Sequence, residues 1–106
     1  MAITWIVTAD SARAKVLQVA DRERSLAEIE NELSPERVGD YLEEARTRHR
    51  YDRLYLVAPP TVIGELRRQL GKEVEKLVCD ELDKDLFRAN ARELEAYFLK
   101  GSGRAP

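Results

Sequence analysis

Cysteine and histidine occur once each in this chain of 106 residues, as Cys79 and His49. A single cysteine cannot form an internal disulfide bond, and one cysteine with one histidine cannot complete a zinc site. No sign of charge dominates, because 18 lysines and arginines face 20 aspartates and glutamates. The chain therefore has no overall positive charge to attract nucleic acid, and any contact with nucleic acid needs a local basic patch.

Long apolar runs are also absent. No stretch reaches the roughly 18–20 apolar residues that a membrane span needs, and the first ten residues, MAITWIVTAD, lack the basic start of a signal peptide. We therefore expect a cytoplasmic protein with no membrane partner. Hydrophobic residues still make up 43% of the chain, enough for one ordinary core. We expect a single domain over 1–100 and a flexible tail over 101–106.

The first third of the chain favours three successive strands. ITWIVT at 3–8 is a nearly continuous run of β-branched and aromatic residues, which is typical of a strand buried on both faces. AKVLQVA at 14–20 predicts a second strand after a turn at ADSAR. LAEIENEL at 26–33 fits one face of a strand or of a helix, and the short connection before it favours a strand in a meander.

Helices and strands alternate in the remainder. Ser34 and Pro35 fit the start of a helix, and an apolar stripe at helical spacing predicts that this helix covers 35–49, with His49 packed at the edge of the core. We predict a strand over 53–58, a helix over 61–70 that ends at Gly71, a turn over 72–76 and a strand over 77–82. Asn90 and Glu93 are expected to cap a last helix, which ends at Gly101. The buried side of this helix is expected to consist of Leu94, Tyr97 and Phe98. The order β-β-β-α-β-α-β-α predicts an α/β fold of ribonuclease H-like type, a mixed sheet with helices on its faces.

Three stretches resemble a known family. They are WIVTADSARAKVL at 5–17, YDRLYLVAPPTVIGELRRQL at 51–70 and VCDELDKDL at 78–86. Together they resemble the bacterial host attachment family, the proteins required for attachment to host cells, which is similar to the middle domain of archaeal and eukaryotic class-1 peptide release factors. The resemblance implies a ribonuclease H-like fold and a connection with the ribosome or RNA.

Two departures limit what the resemblance implies. The link NELSP at 31–35 is shorter than the polar segment usual in the family, and the chain contains no Gly-Gly-Gln, the motif with which release factors admit water to peptidyl-tRNA. Peptidyl-tRNA hydrolysis is therefore not carried over. We expect a non-catalytic binding module without a cofactor, and the alternative is an assembly module that forms a homodimer through an exposed sheet edge, with an indirect role in attachment.

The acidic stretch CDELDKDL at 79–86 raises a third hypothesis, a divalent-metal-dependent hydrolase or nuclease that uses Asp10, Asp83 and Asp85. If 77–85 is extended, Cys79, Glu81, Asp83 and Asp85 share one face of the strand. Two-metal centres on this fold need acids within neighbouring strands, whereas the first strand has none before Asp10 and RLYLVA at 53–58 has none. We therefore interpret the stretch as a strand-to-helix junction without a metal, and Asp10 as the cap of a turn.

Basic residues supply the candidates for contact with RNA or a partner. RTRHRYDR at 46–53 gathers several arginines at a helix end, where Tyr51 could stack on a base. The opposing interpretation is that these cations offset the helix dipole. The full candidate set is Arg13, Arg46, Arg48, Arg50, Arg53, Arg67 and Arg68.

Overall fold

The run ITWIVT forms the central strand of a five-stranded mixed sheet. The structure, a computed structural model, describes residues 3–20 and 25–95. Its strands are β1 (Thr4–Ala9), β2 (Ala14–Ala20), β3 (Ser25–Leu33), β4 (Arg53–Val57) and β5 (Val78–Leu82). Its helices are α1 (Val38–Thr47), α2 (Pro60–Gln69), α3 (Lys72–Glu75) and α4 (Ala91–Glu95). The α/β class, the mixed sheet and the strand assignment of 26–33 are confirmed.

The strand order is β3-β2-β1-β4-β5. Strands β1, β2 and β3 form an antiparallel meander, whereas β4 and β5 run parallel to β1. Residues Trp5, Ile6, Val7, Thr8 and Ala9 of β1 have no exposed surface. Helices cover both faces of the sheet, so side chains on both sides of β1 are buried. The sequence of β1 is therefore almost continuously apolar instead of alternating between apolar and polar residues.

Each face of the sheet has its own core. On one face, side chains of α1, α2 and α3, such as Leu42, Leu66 and Val74, pack against Trp5 and Val7. On the other face, Leu94 of α4 packs with Ile6, Leu17 and Val57, together with residues of the segment that precedes the helix. The predicted placement of helices on the sheet faces is confirmed.

The first helix differs from its prediction at both ends. A 3-10 turn, Pro35–Arg37, precedes α1, and α1 itself ends at Thr47. His49 has a φ of 57°, and the N–H groups of His49 and Arg50 donate to the carbonyls of Arg46 and Ala45. This is a Schellman motif with His49 at the left-handed position that glycine usually occupies. The expectation that His49 packs at the core edge is wrong, because the reversed backbone exposes it.

The segment that follows α2 was also predicted incorrectly. Residues 72–76 were expected to form a turn, but Lys72–Glu75 is the short helix α3. Gly71 precedes that helix, and α2 has already ended at Leu70, whose backbone is extended.

The start of the last helix is confirmed as a capping box, since Asn90 and Glu93 each donate a backbone N–H to the other's side chain at 2.9 and 2.8 Å. The calls on Tyr97, Phe98, Gly101 and the tail over 101–106 lie outside the described residues.

Gly39 of α1 lies close to Gln69, the last residue of α2. Its N–H donates to Oε1 of Gln69 at 2.8 Å, and Nε2 of Gln69 donates to the Pro35 carbonyl at 2.6 Å. A Cβ added at Gly39 would lie 2.9 Å from both Cβ and the carbonyl oxygen of Gln69. Only a residue without a side chain fits this crossing.

We expect Gly39→Ala to lower the free energy of unfolding by about 1–3 kcal/mol, the cost of overpacking. Gly64→Ala is the matched control, because Gly64 also lies within a helix but has open space around its Cβ position. That control should raise stability by up to about 1 kcal/mol through helix propensity. Urea denaturation measures both changes, and effects of the same sign would contradict the close approach.

His49→Gly should stabilise the protein by about 1 kcal/mol. A left-handed conformation costs a residue with a Cβ roughly 1–2 kcal/mol, and glycine avoids this cost. Part of the gain is offset because glycine loses more backbone entropy on folding. His49→Ala retains the Cβ and should give no such gain. Thermal unfolding of the two variants measures the difference. Equal stabilities would show that His49 is not in the left-handed region in solution.

Candidate functional site

Asp10 holds the turn between β1 and β2. Its Oδ1 accepts the N–H groups of Ala12 and Arg13, both at 2.8 Å, and its own N–H donates to the Arg13 carbonyl at 2.9 Å. Partial burial raises the pKa of Asp10, but these hydrogen bonds and the charges of Arg13 and Arg88 outweigh burial and hold the pKa below its usual value. The carboxylate is thus engaged as the cap of a turn.

The three carboxylates of the metal hypothesis are not brought together. Strands β1, β4 and β5 are parallel, so Asp10 and Asp83 follow strands that end at the same edge of the sheet. Strand β4 lies between them, which separates the two positions by two strand spacings, about 9–10 Å. Asp83 and Asp85 are exposed. Within 3–20 and 25–95, no group of three or more His, Cys, Asp or Glu residues could hold a metal ion.

A β-bulge changes the faces of β5. Val78 pairs with Leu54 and Asp80 with Tyr55, the next residue of β4, so Cys79 is an extra residue. Glu81 consequently lies on the α2 side of the sheet, where its Oε2 is 3.1 Å from Nε of Arg67. The predicted alternation required 77–85 to be extended throughout, but the strand ends at Leu82 and contains a bulge at Cys79.

The candidate arginines do not form one patch. Arg46, Arg48, Arg50 and Arg53 lie at the junction of α1 and β4, which is the end of the sheet where β1 begins. Arg13 lies beyond the opposite end of β1, about 20 Å along the strand direction. Arg67 and Arg68 lie at the end of α2.

Most of these arginines have carboxylate partners. The guanidinium of Arg46 is 2.7 Å from Glu43, that of Arg48 is 3.3 Å from Glu44, and that of Arg68 is 3.5 Å from Glu65. Arg50 lies 5.2 Å from the centre of the Trp5 ring. Ion pairs within a helix therefore occupy much of the charge that was expected to be available to RNA.

Tyr51 belongs to the core. It is 3% exposed, its ring stacks on Trp5 with centroids 4.7 Å apart, and its hydroxyl donates to the Leu42 carbonyl at 2.9 Å. Burial raises the pKa of Tyr51 to about 12. The expectation that Tyr51 stacks on a base is wrong.

Lys15 is the residue that the sequence reasoning missed. It lies in β2 and is only 7% exposed, and its Nζ contacts the Ala89 carbonyl at 3.1 Å and Oε2 of Glu28 at 3.4 Å. In AKVLQVA, Lys15 shares a strand face with Leu17, which is fully buried. A lysine at an otherwise apolar position of that face was the available signal.

Lys15 and Arg13 flank one aromatic ring. Nζ of Lys15 is 5.2 Å and Cζ of Arg13 is 4.6 Å from the centre of the Phe87 ring, both within the range of cation–π attraction. Thr8, the partner of Lys15 across the β1–β2 pair, is fully buried, and its Oγ1 has no hydrogen-bond partner within the described part of the chain.

These residues border a groove of about 560 Å³, which we term the Arg13–Lys15 groove. It lies between the β1–β2 turn, the end of β3 and the segment before α4. Its polar and aromatic lining consists of Arg13, Lys15, Glu28, Asn31, Glu32, Ser34 and Phe87. The groove therefore combines a buried ammonium and an exposed guanidinium with two carboxylates and neutral hydrogen-bonding groups. The two cations are the groups that could hold an anionic ligand.

A family model described as "Protein required for attachment to host cells" matches residues 21–98, about three quarters of the chain. No curated protein matches. No helix over 3–20 or 25–95 has both the length and the apolar character of a membrane span.

We expect carbon-13 NMR titration to give a pKa for the Asp10 carboxyl below that of an unperturbed aspartate. A depressed pKa in the folded state means that Asp10 contributes stability above the unfolded pKa and loses this contribution as pH falls through the folded pKa. Arg13→Ala should raise the pKa of Asp10, because it removes a neighbouring positive charge. A pKa at or above the ordinary value would contradict the turn geometry.

Proposed function

The chain belongs to the family of proteins required for attachment to host cells, and we propose that it is a non-catalytic, cytoplasmic binding domain that holds a phosphate of ribosomal or other RNA in the Arg13–Lys15 groove. The observation that carries the proposal is the buried ammonium of Lys15 beside the exposed guanidinium of Arg13. Any role in host attachment is then indirect.

The two cations of the groove provide the contacts for a phosphate, whereas the net charge of the lining does not attract one, because Glu28 and Glu32 balance them. Lysine supplies three donors, and the two contacts of Lys15 leave at least one of them for a ligand. Its attraction to an anion is strengthened where water is partly excluded. Arg13 adds a planar fork that matches two phosphate oxygens.

Asp10 is a weak competitor for Arg13. The closest approach between the guanidinium and Oδ2 of Asp10 is 3.8 Å, and Oδ1 of Asp10 already accepts two backbone N–H groups. A phosphate can therefore engage Arg13 while the turn remains intact. Arg88, whose charge also acts on Asp10, adds a further cation near the groove.

The ribonuclease H-like topology belongs to the same proposal. The chain order β-β-β-α-β, followed by two helices and a last parallel strand, and the spatial order β3-β2-β1-β4-β5 support it. The resemblance to release-factor middle domains supports a partner in translation. The chain lacks Gly-Gly-Gln, so binding without peptidyl-tRNA hydrolysis is the consistent form of that resemblance.

Charge at the sheet edges favours RNA binding over the alternative of a homodimer joined edge to edge. One edge strand, β3, carries Glu28, Glu30 and Glu32, and the other, β5, carries Asp80 and Glu81. Pairing two copies of one edge, or one edge with the other, would bring carboxylates together, and acidic edges are a known means of preventing such pairing.

Fluorescence anisotropy with a labelled single-stranded RNA tests the proposal. We expect the logarithm of the binding constant to fall linearly with the logarithm of salt concentration, and Arg13→Ala to weaken binding by about tenfold and to reduce the slope by about 0.7, the value for one phosphate contact on a single strand. Lys15→Met, which retains the length of the buried side chain, should weaken binding similarly.

Arg68→Ala is the matched control, because Arg68 is exposed and pairs with Glu65 on another surface. It should leave affinity and slope nearly unchanged. A triple variant, Arg46→Ala, Arg48→Ala and Arg50→Ala, tests the α1–β4 junction. Equal losses for Arg13→Ala and Arg68→Ala would show non-specific attraction, and a loss confined to the triple variant would move the site to the junction.

A further inference from the structure

The outer edge of β5 is not paired with another strand in the part of the chain that the structure describes. Strand β5 ends the sheet, and its inner edge is bonded to β4, for example through the Leu77 and Leu82 carbonyls. The N–H of Glu81 instead donates to the carboxylate of the adjacent Asp80 at 2.8 Å. A strand edge without a partner strand offers backbone donors and acceptors to an added strand, which would replace the Asp80 carboxylate at the Glu81 N–H.

A groove of about 580 Å³ runs along this edge, between β5 and the connection from α2 to α3. We term it the β5 edge groove. Its apolar part consists of Leu70 and Val78, and Cys79 at the bulge is exposed. The polar lining is Arg67, Glu75, Asp80 and Glu81. Space thus exists beside the edge for the side chains of an extended peptide.

The charge of this region selects the kind of peptide. Residues 78–85 contain four carboxylates, Asp80, Glu81, Asp83 and Asp85, against the single cation Lys84, a net charge of -3. Arg67 neutralises the lining only in part, because one guanidinium, 3.8 Å from Glu75 and 3.1 Å from Glu81, faces three lining carboxylates. An acidic or phosphorylated segment would be repelled, whereas lysine or arginine side chains would meet an excess of carboxylates.

We propose that the β5 edge groove binds an extended basic segment of a partner protein by strand addition. The segment would span the five residues of β5, about 17 Å, and would alternate apolar residues with lysine or arginine. Backbone hydrogen bonds to the free edge would fix its direction. Contacts of its apolar side chains with Leu70 and Val78, and of its cations with the carboxylates, would select its sequence. This site is separate from the Arg13–Lys15 groove, so its failure leaves the RNA proposal untouched.

The test is NMR titration of the nitrogen-15-labelled protein with the capped pentapeptide Lys-Val-Lys-Val-Lys. Amide signals of Val78–Leu82 should shift, and their hydrogen exchange should slow. Two matched probes separate the contributions: Glu-Val-Glu-Val-Glu reverses the charge, and Lys-Val-Pro-Val-Lys removes one backbone donor. Both should bind at least tenfold more weakly than the first peptide.

Asp80→Lys reverses one exposed carboxylate of the groove and should weaken binding at least tenfold. Glu36→Lys, an equal charge change at an exposed position next to the start of α1, is the control and should leave binding unchanged. The single cysteine offers a second approach, because a bulky maleimide on Cys79 should block the peptide without any substitution.

Three results would overturn the proposal. The first is the absence of shifts in β5 at millimolar peptide. The second is an equal loss of binding in Asp80→Lys and Glu36→Lys, which would show attraction to overall charge. The third is occupation of the edge by something else, seen as a dimer by light scattering of the free protein or as shifts in Val78–Leu82 when RNA is added.

Discussion

The burial of β1 on both faces is the constraint from which the rest of the structure follows. A strand without exposed surface must have a neighbour along each edge and a layer over each face, and β2, β4, the α1–α2 pair and α4 provide them. The direction of β1 then fixes where the functional side chains lie. Asp10 and Arg13 follow its carboxyl end, whereas the arginines of the α1–β4 junction gather at its start. A single central strand thereby separates two basic regions that are distinct surfaces of the molecule.

Lys15 connects three segments that are distant in sequence. Its ammonium is removed from most contact with water, and the Ala89 carbonyl and Glu28 compensate for that loss. The same contacts tie the segment before α4 to β2 and β3, which forms one wall of the groove. Glu28 makes the longer of the two contacts, at 3.4 Å, and its side chain is 36% exposed.

Much of the fold could be predicted because it follows from local pattern. The apolar run of β1, the helical stripe of α1 and the capping box at Asn90 depend on residues close together in the chain, and the structure contains all three. The errors occurred where backbone geometry overrode composition. His49 occupies a glycine position, and Gly71 precedes a helix instead of ending one. The bulge at Cys79 arises from register between two strands, which no single segment encodes.

The candidate site could be predicted only in part, for a physical reason. Asp10 and Arg13 were identified because a turn between two strands is visible locally. The burial of Lys15 was not predicted, because it depends on a contact with Ala89, 74 residues away in sequence. The paired state of Arg46 and Arg48 could have been inferred, since Glu43 and Glu44 stand at helical spacing before them. Spacing alone did not reveal that Asp10 and Asp83 lie two strands apart, because strand order is a property of the whole sheet.

Amide shift mapping of the nitrogen-15-labelled protein with a saturating short RNA addresses the site of binding most directly. If an RNA phosphate occupies the Arg13–Lys15 groove, the largest shifts will fall on Ala12–Lys15 and Phe87–Ala89, on both sides of the ring that the two cations share. The largest shifts at the α1–β4 junction, or no shifts at all at low salt, would contradict this assignment.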